Sequence, residues 1–249
     1  MLPPLQPIHF TNDGLTLWGM LHLPDGPGPH PSVIFLHGFT GQRYEPGWIY
    51  VRVARQLAAA GIAVFRFDCR FSGESDGDFW DMTISTEISD AMRAVDLMAV
   101  RHDMDPGRMG LLGFSMGGTV NAETAARRSD IRSLCLWSPV SDPATQFADR
   151  AEQMTGDTLD LGPVVLGRGF VEDLPSHNPM EATRRWGGPL RVIHGIADPV
   201  VDISSGRAYM DGPGRREIVE VEGAEHGWFG ADKQARLFQA TVDWFRETL

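Results

Sequence analysis

The sequence predicts an α/β protein: a mostly parallel sheet with helices on both faces and a lid inserted before the last two strands. Three observations predict it. Short β-branched and aromatic runs recur along the chain and are apolar on both faces, as strands covered by helices on each side must be. Amphipathic helical stretches alternate with them, which implies right-handed crossovers between parallel strands. One stretch of fifty residues, 139–188, carries neither period and is too long for a simple loop.

In chain order, Leu15 to Leu23 alternates in polarity and precedes Pro24-Asp-Gly, so it reads as an antiparallel edge hairpin. Val33 to Leu36 and Ile62 to Phe67 are buried strands, and Val51 to Ala60 between them is a helix stopping at Gly61. Ile84, Ile88, Ala91, Val95 and Met98 form one helical stripe. Met109 to Leu112 is a strand and Thr119 to Arg128 a helix; Leu134 to Trp137, Leu190 to Ile193 and Ile218 to Val221 are further strands. A final helix begins at Asp232, with Leu237, Val242 and Phe245 on its apolar side. Residues 1–138 and 189–249 thus read as one core domain, and 139–188 as the lid.

The 249 residues are 42% hydrophobic and 22% charged, which suits a globular chain and excludes a disordered or fibrous one. A chain of this length buries roughly 70–75% of its unfolded surface and needs no disulfide or metal to hold a core. The net charge of −11 argues against nucleic acid or an anionic membrane as partner. Met1 to Pro7 has neither the positive nor the apolar region of a secretory signal, and no run approaches the roughly 20 apolar residues of a membrane helix. Cys69 and Cys135 read as buried free thiols of a cytoplasmic protein.

Gly113-Phe-Ser115-Met-Gly117 matches G-x-S-x-G, and its setting between a strand and a helix gives the match weight. A serine on that sharp turn stands exposed above the strand ends, and the flanking glycines provide clearance. Its hydroxyl is a poor nucleophile until a base takes the proton. Of eight histidines, His226 follows the last strand and leads into the final helix, on the sheet edge where the serine stands. His194 and His37 read as structural; His194 and His177 are the rivals for the base. Asp198, after the strand ending at His194, gives the chain order Ser, Asp, His and would hold the imidazole in one tautomer. Asp142 is its main rival, with Asp202 and Glu225 behind. The oxyanion needs two donors: the backbone N–H of Met116 and that of Phe39, in His37-Gly-Phe-Thr-Gly41.

Nucleotide and metal readings fail on particulars. Gly113 to Gly118 has P-loop glycine spacing, but Thr119 stands where the lysine belongs, and no H-E-x-x-H or paired-cysteine pattern exists.

These residues resemble those of the α/β-hydrolase fold and, within it, of the bacterial cinnamoyl and feruloyl esterases. The resemblance is carried by His37 to Gly41, Phe67-Asp-Cys-Arg-Phe-Ser-Gly-Glu-Ser-Asp-Gly77, Met82-Thr, Gly113 to Gly118, His194-Gly-Ile-Ala-Asp-Pro-Val and Glu222-Gly-Ala-Glu-His226. It implies a serine carboxylesterase, acylated at Ser115, without cofactor or metal. It also implies a small-molecule ester as partner, hydroxycinnamates among the candidates, and a lid whose polar groups reach a phenolic hydroxyl. Gln146, Asp142 and His177 are available for that contact, and Trp228, beside His226, is a further candidate. The lid has no tyrosine, and its eight acidic residues against four arginines disfavour a highly anionic substrate. A thioesterase, acyl transferase or small peptidase would use the same three residues, and a binding protein could keep the fold without the chemistry. A homodimer is one arrangement left open.

Overall fold

The computed structural model describes residues 4–249; the first three residues of the N-terminal stretch read above lie outside it. The chain begins with β1 (Leu5–Asn12) and β2 (Leu15–His22), then β3 (His30–Leu36), α1 (Ile49–Ala59), β4 (Ala63–Phe67) and α2 (Ile84–Ala99). There follow β5 (Met104–Phe114), α3 (Met116–Ala126) and β6 (Ile131–Trp137). The stretch after β6 holds α4 (Pro143–Gln146), α5 (Ala148–Gln153), the strand pair β7 (Thr158–Asp160) and β8 (Val165–Gly167), α6 (Arg168–Asp173) and α7 (Pro179–Trp186). The chain closes with β9 (Leu190–Gly195), α8 (Ile203–Ala208), β10 (Arg216–Val221) and α9 (Ala231–Thr248).

Eight strands form one sheet in the order β1-β2-β4-β3-β5-β6-β9-β10. From β4 to β10 every neighbouring pair is parallel, and β1 and β2 join antiparallel. The edge is therefore β1; β2, read from sequence as the edge, lies second and pairs on both sides. Asp13 and Gly14 turn between the two with φ of 46° and 81°, as a tight hairpin turn of matching twist needs. Two apolar clusters cover the two faces of the sheet. One packs α2 and α3 through Ile84, Ala91, Val95 and Val120; the other packs α1 and α9 through Val53, Leu57, Leu237 and Phe245. Thr83 and Thr86 bond reciprocally at the start of α2, satisfying its first free amides.

The stretch after β6 is more regular than its sequence suggests. Its helices run four to eight residues, too short for a 3.6-residue period to register. The last of them, α7, packs against α3 and serves as the crossover helix between β6 and β9. Asn178 caps its start and Gly187, at φ 66°, ends it. Upstream, Phe147, Leu166, Phe170 and Leu174 are buried in the cluster that also holds α2. Asp173 accepts the Ser85 N–H at 2.8 Å and the Ser85 hydroxyl at 2.5 Å, docking α6 on the first turn of α2.

The order of the sheet reverses at β3: the chain steps to β4 on one side, then to β5 on the other. The crevice above the ends of β3 and β5 is where such sheets bind ligands. Among the described residues, no helix is long and apolar enough to cross a membrane.

Candidate active site

Ser115 is the single residue between β5 and α3, held at φ 55° and ψ −121°, a conformation L-residues rarely adopt. Its amide donates to Trp137 O at 2.9 Å, and its carbonyl receives the Gly118 N–H at 2.9 Å. Close backbone packing explains the glycines. A Cβ on Gly113 would lie 2.2 Å from Gly117 O, and one on Gly117 would lie 2.4 Å from Leu36 O. The first turn of α3 therefore presses directly on the end of β3.

The loops after β9 and β10 are bound together below the crevice. The Ile196 N–H donates to Val221 O at 3.0 Å and the Ala197 N–H to Ala224 O at 3.1 Å. A Cβ on Gly195 would meet Ala224 O at 2.2 Å, so only glycine allows this approach. That contact sets Asp198 against His226: Asp198 Oδ2 lies 2.8 Å from His226 Nδ1, and His226 Nε2 lies 3.1 Å from Ser115 Oγ. Asp198 Oδ1 accepts the Val200 and Val201 amides, each at 2.9 Å. Burial pushes the Asp198 carboxyl up, but the His226 bond and charge and these two amides hold it below its usual range. An ionised Asp198 keeps the proton on Nδ1, leaving Nε2 to accept from the Ser115 hydroxyl. The imidazole also stacks on Phe114, with centroids 4.8 Å apart.

The rival histidines have other partners. His194 is buried and its Nε2–H donates to Val201 O at 2.9 Å, while Asp198 Oδ2 stands 3.6 Å away. His37 accepts the Cys69 amide on Nε2 at 3.1 Å and bonds Gly38 O through Nδ1 at 2.9 Å. Asp142 caps α4, accepting the Thr145 N–H at 3.1 Å and the Thr145 hydroxyl at 2.7 Å.

Two cavities meet at Ser115, of about 280 and 250 Å³, and share Phe39, Thr40, Ser115 and His226. The first is walled by the loop from Gly38 to Pro46, the second by Val140, Gln146, Phe147, Arg150, Val200 and Val201. The loop bearing Phe39 passes close beside the serine, since a Cβ on Gly38 would lie 3.3 Å from Ser115 Cβ. Met116 begins α3, whose N-terminal amides favour negative charge.

Of the other sequence-predicted contacts, Gln146 lines the second cavity, its amide donating to Val200 O at 2.9 Å. Three are not brought to the site. Asp142 lines neither cavity. His177 faces a separate hollow beside α2 and bonds Asp173 at 2.8 Å, because α6 docks there instead of over Ser115. Trp228 is wholly buried among Val221, Ala224 and Phe238, and anchors the His226 loop from below.

Sequence reasoning missed Glu45 and Arg150, for which the only local signal is a charged residue near a predicted loop. Glu45 is 3% exposed and accepts the Gly38 N–H at 2.7 Å; burial pushes its carboxyl up to about 8, against the pull of that amide. A buried Asp68 likewise organises the Phe67 to Gly77 loop, accepting the Arg43 N–H at 2.6 Å and the Glu74 N–H at 3.2 Å. Among the described residues, His37, Cys69 and Glu87 are the one group with metal-ligand spacing. Both His37 nitrogens are already bonded, and burial pushes the Cys69 thiol and the Glu87 carboxyl well above their ordinary ranges.

Sheet order and a serine on the sharp turn after the fifth strand define an α/β hydrolase. The chain belongs to the Hydrolase_4 family (serine aminopeptidase, S33), which it matches over residues 27–165. It is 30% identical to esterase EstD of Thermotoga maritima across 87% of its own length and 59% of that protein's. To the uncharacterized peptidase YtmA of Bacillus subtilis it is 26% identical, covering 80% and 75% of the two chains. The chain spans 48% of the length of the first curated relative it matches, a 31.7 kDa protein of Escherichia coli. In fold it is similar to Est1E of Butyrivibrio proteoclasticus, solved with ferulic acid bound, at a TM-score of 0.87 and 23% identity over 97% and 98% of the chains.

Proposed function

We propose that this chain is a serine carboxylic ester hydrolase that works through an acyl-enzyme on small or aryl esters, hydroxycinnamates among them. The hydrogen-bonded line from Asp198 through His226 to Ser115 carries the reading. Ser115 Oγ attacks the ester carbonyl carbon as its proton passes to His226 Nε2, and the Phe39 and Met116 amides receive the oxyanion. Collapse breaks the bond to the alcohol oxygen, which takes that proton and leaves. Water then attacks the acyl-enzyme with His226 as base again, freeing the acid and restoring the serine.

The aromatic wall of Phe39 and Phe147 in the second cavity supports a flat or apolar ester half. Family membership also raises a peptidase acting on free amino termini. An ammonium end needs an anionic partner, and the charged side chains bordering the two cavities are Arg150 and a Glu45 held largely neutral below about 8. That electrostatic balance favours esters.

The test is hydrolysis of nitrophenyl esters of increasing acyl length and of methyl hydroxycinnamates by the native chain and Ser115→Ala. A fluorophosphonate should add one adduct, located at Ser115. Unchanged turnover in Ser115→Ala, or an adduct on another residue, would overturn the assignment.

A further inference from the structure

The two cavities at Ser115 differ in charge, and the difference has a chemical consequence. Arg150, on α5, borders the second cavity together with Ser115, Gln146 and Phe147. Its guanidinium carbon lies 5.1 Å from the centroid of the Phe39 ring and 5.8 Å from that of Phe147. Among the described residues no carboxylate stands within ion-pairing distance of it. Of the other arginines of the stretch, Arg168 pairs with Asp157 at 2.7 Å and Arg184 with Asp211 at 2.5 Å, while Arg185 is exposed and borders neither cavity.

A guanidinium lying over aromatic rings has its plane fixed while its N–H donors remain directed outward along the edge. Five donors on a lasting charge, bordered by Val140, Val200 and two phenyl rings, match the bidentate geometry of a carboxylate. We infer that Arg150 selects esters carrying a free carboxylate on the half of the molecule seated in this cavity. The inference rests on the esterase reading above and narrows its substrate class to half-esters and acylated hydroxy acids. It also refines the expectation drawn from the acidic lid: one substrate carboxylate meets one unpaired guanidinium, whereas a multiply anionic substrate would meet the surrounding carboxylates. The cavity, about 250 Å³, suits a short chain with the carbonyl at Ser115 and the charge at its far end.

The test compares matched esters on the full chain. Monomethyl adipate is set against methyl hexanoate for a carboxylate on the acyl half, and 4-acetoxybutanoate against butyl acetate for the alcohol half. The native chain should prefer the acidic member of one pair, and the pair that shows it identifies which half sits by Arg150. Arg150→Gln should lower kcat/KM for that acidic ester by about 10- to 100-fold, as expected for a lost charged hydrogen bond, with the neutral partner changed less than about threefold. Arg150→Lys, which keeps the charge without the planar fork, should fall between. Equal losses on acidic and neutral esters, or no acidic preference in either pair, would overturn the inference while leaving the esterase reading intact. Failure to cleave any of the four esters, with Ser115→Ala indistinguishable from the native chain, would overturn both.

Discussion

The carboxyl of Glu45 receives the Gly38 N–H at 2.7 Å from inside the protein, one residue before the amide proposed to bind the oxyanion. This bond fixes the loop from the buried side. A Cβ on Gly41 would lie 2.6 Å from Glu45 Oε1, so the loop is folded tightly around the carboxyl.

Because burial raises Glu45 to about 8, the folded protein holds a proton there that the unfolded chain releases near its ordinary value of 4.5. The resulting stability is fully present below that ordinary value and is lost as pH rises through about 8. Glu45→Gln, neutral at every pH, should lack this loss. Urea unfolding between pH 5 and 9 is expected to show the variant gaining on the native chain toward the alkaline end, and a constant difference would contradict the account.

Asp198→Asn should leave the fold intact and lower kcat by on the order of 10³- to 10⁴-fold, since the amide no longer holds the imidazole proton on Nδ1. KM should change far less. Steady-state kinetics on a nitrophenyl ester separates the two, and near-native kcat would count against Asp198 as the orienting group.

Gly117→Ala places a methyl against the Leu36 and His37 carbonyl oxygens, at 2.4 and 2.5 Å, both main-chain atoms that cannot swing aside. We expect a stability loss of about 1–3 kcal/mol and a fall in activity as α3 lifts from β3. A denaturation midpoint equal to that of the native chain would show that the contact relaxes freely.

The Phe39 ring has a packing part of its own, beside the oxyanion role proposed for its amide. The ring packs at 5.1 and 5.2 Å from Phe147 and Phe170, and at 5.8 Å from Phe79. Phe39→Ala should therefore raise KM and lower the melting temperature, with Phe39→Leu milder, while Phe39→Pro, lacking the N–H, should lower kcat by about 10²- to 10³-fold. Identical kinetics for the alanine and proline variants would refute this division of labour.

What could be read from sequence follows the range of the interactions involved. The meeting of Ser115, Asp198 and His226 was legible because each follows a recognisable strand, and parallel strands deliver their C-terminal loops to one edge. The Ala-Leu helix stopping before Gly61 and the stripe from Ile84 to Met98 were legible for the same local reason. β1 was not, because Leu5 to Asn12 is an edge strand mostly exposed on both sides and carries little apolar alternation. His177 and Trp228 were misplaced because their surroundings depend on where α6 and the last loop dock, a tertiary matter. Glu45 left only the trace of a charge in a polar loop, which gives no hint that its carboxyl will turn inward.

Ser115 stands on the saddle between two recesses, so a substrate of the proposed reaction would lie astride it, one limb in each. By the acyl-enzyme route proposed above, the limbs would depart at different moments. Once the first had gone, its emptied recess would be the water's way in, while the other limb stayed seated until the second bond broke. The two recesses are lined by different side chains, Gln146, Phe147 and Arg150 in one and Tyr44 and Pro46 in the other. On that reading, preference for each limb is open to retuning by substitution apart from its counterpart.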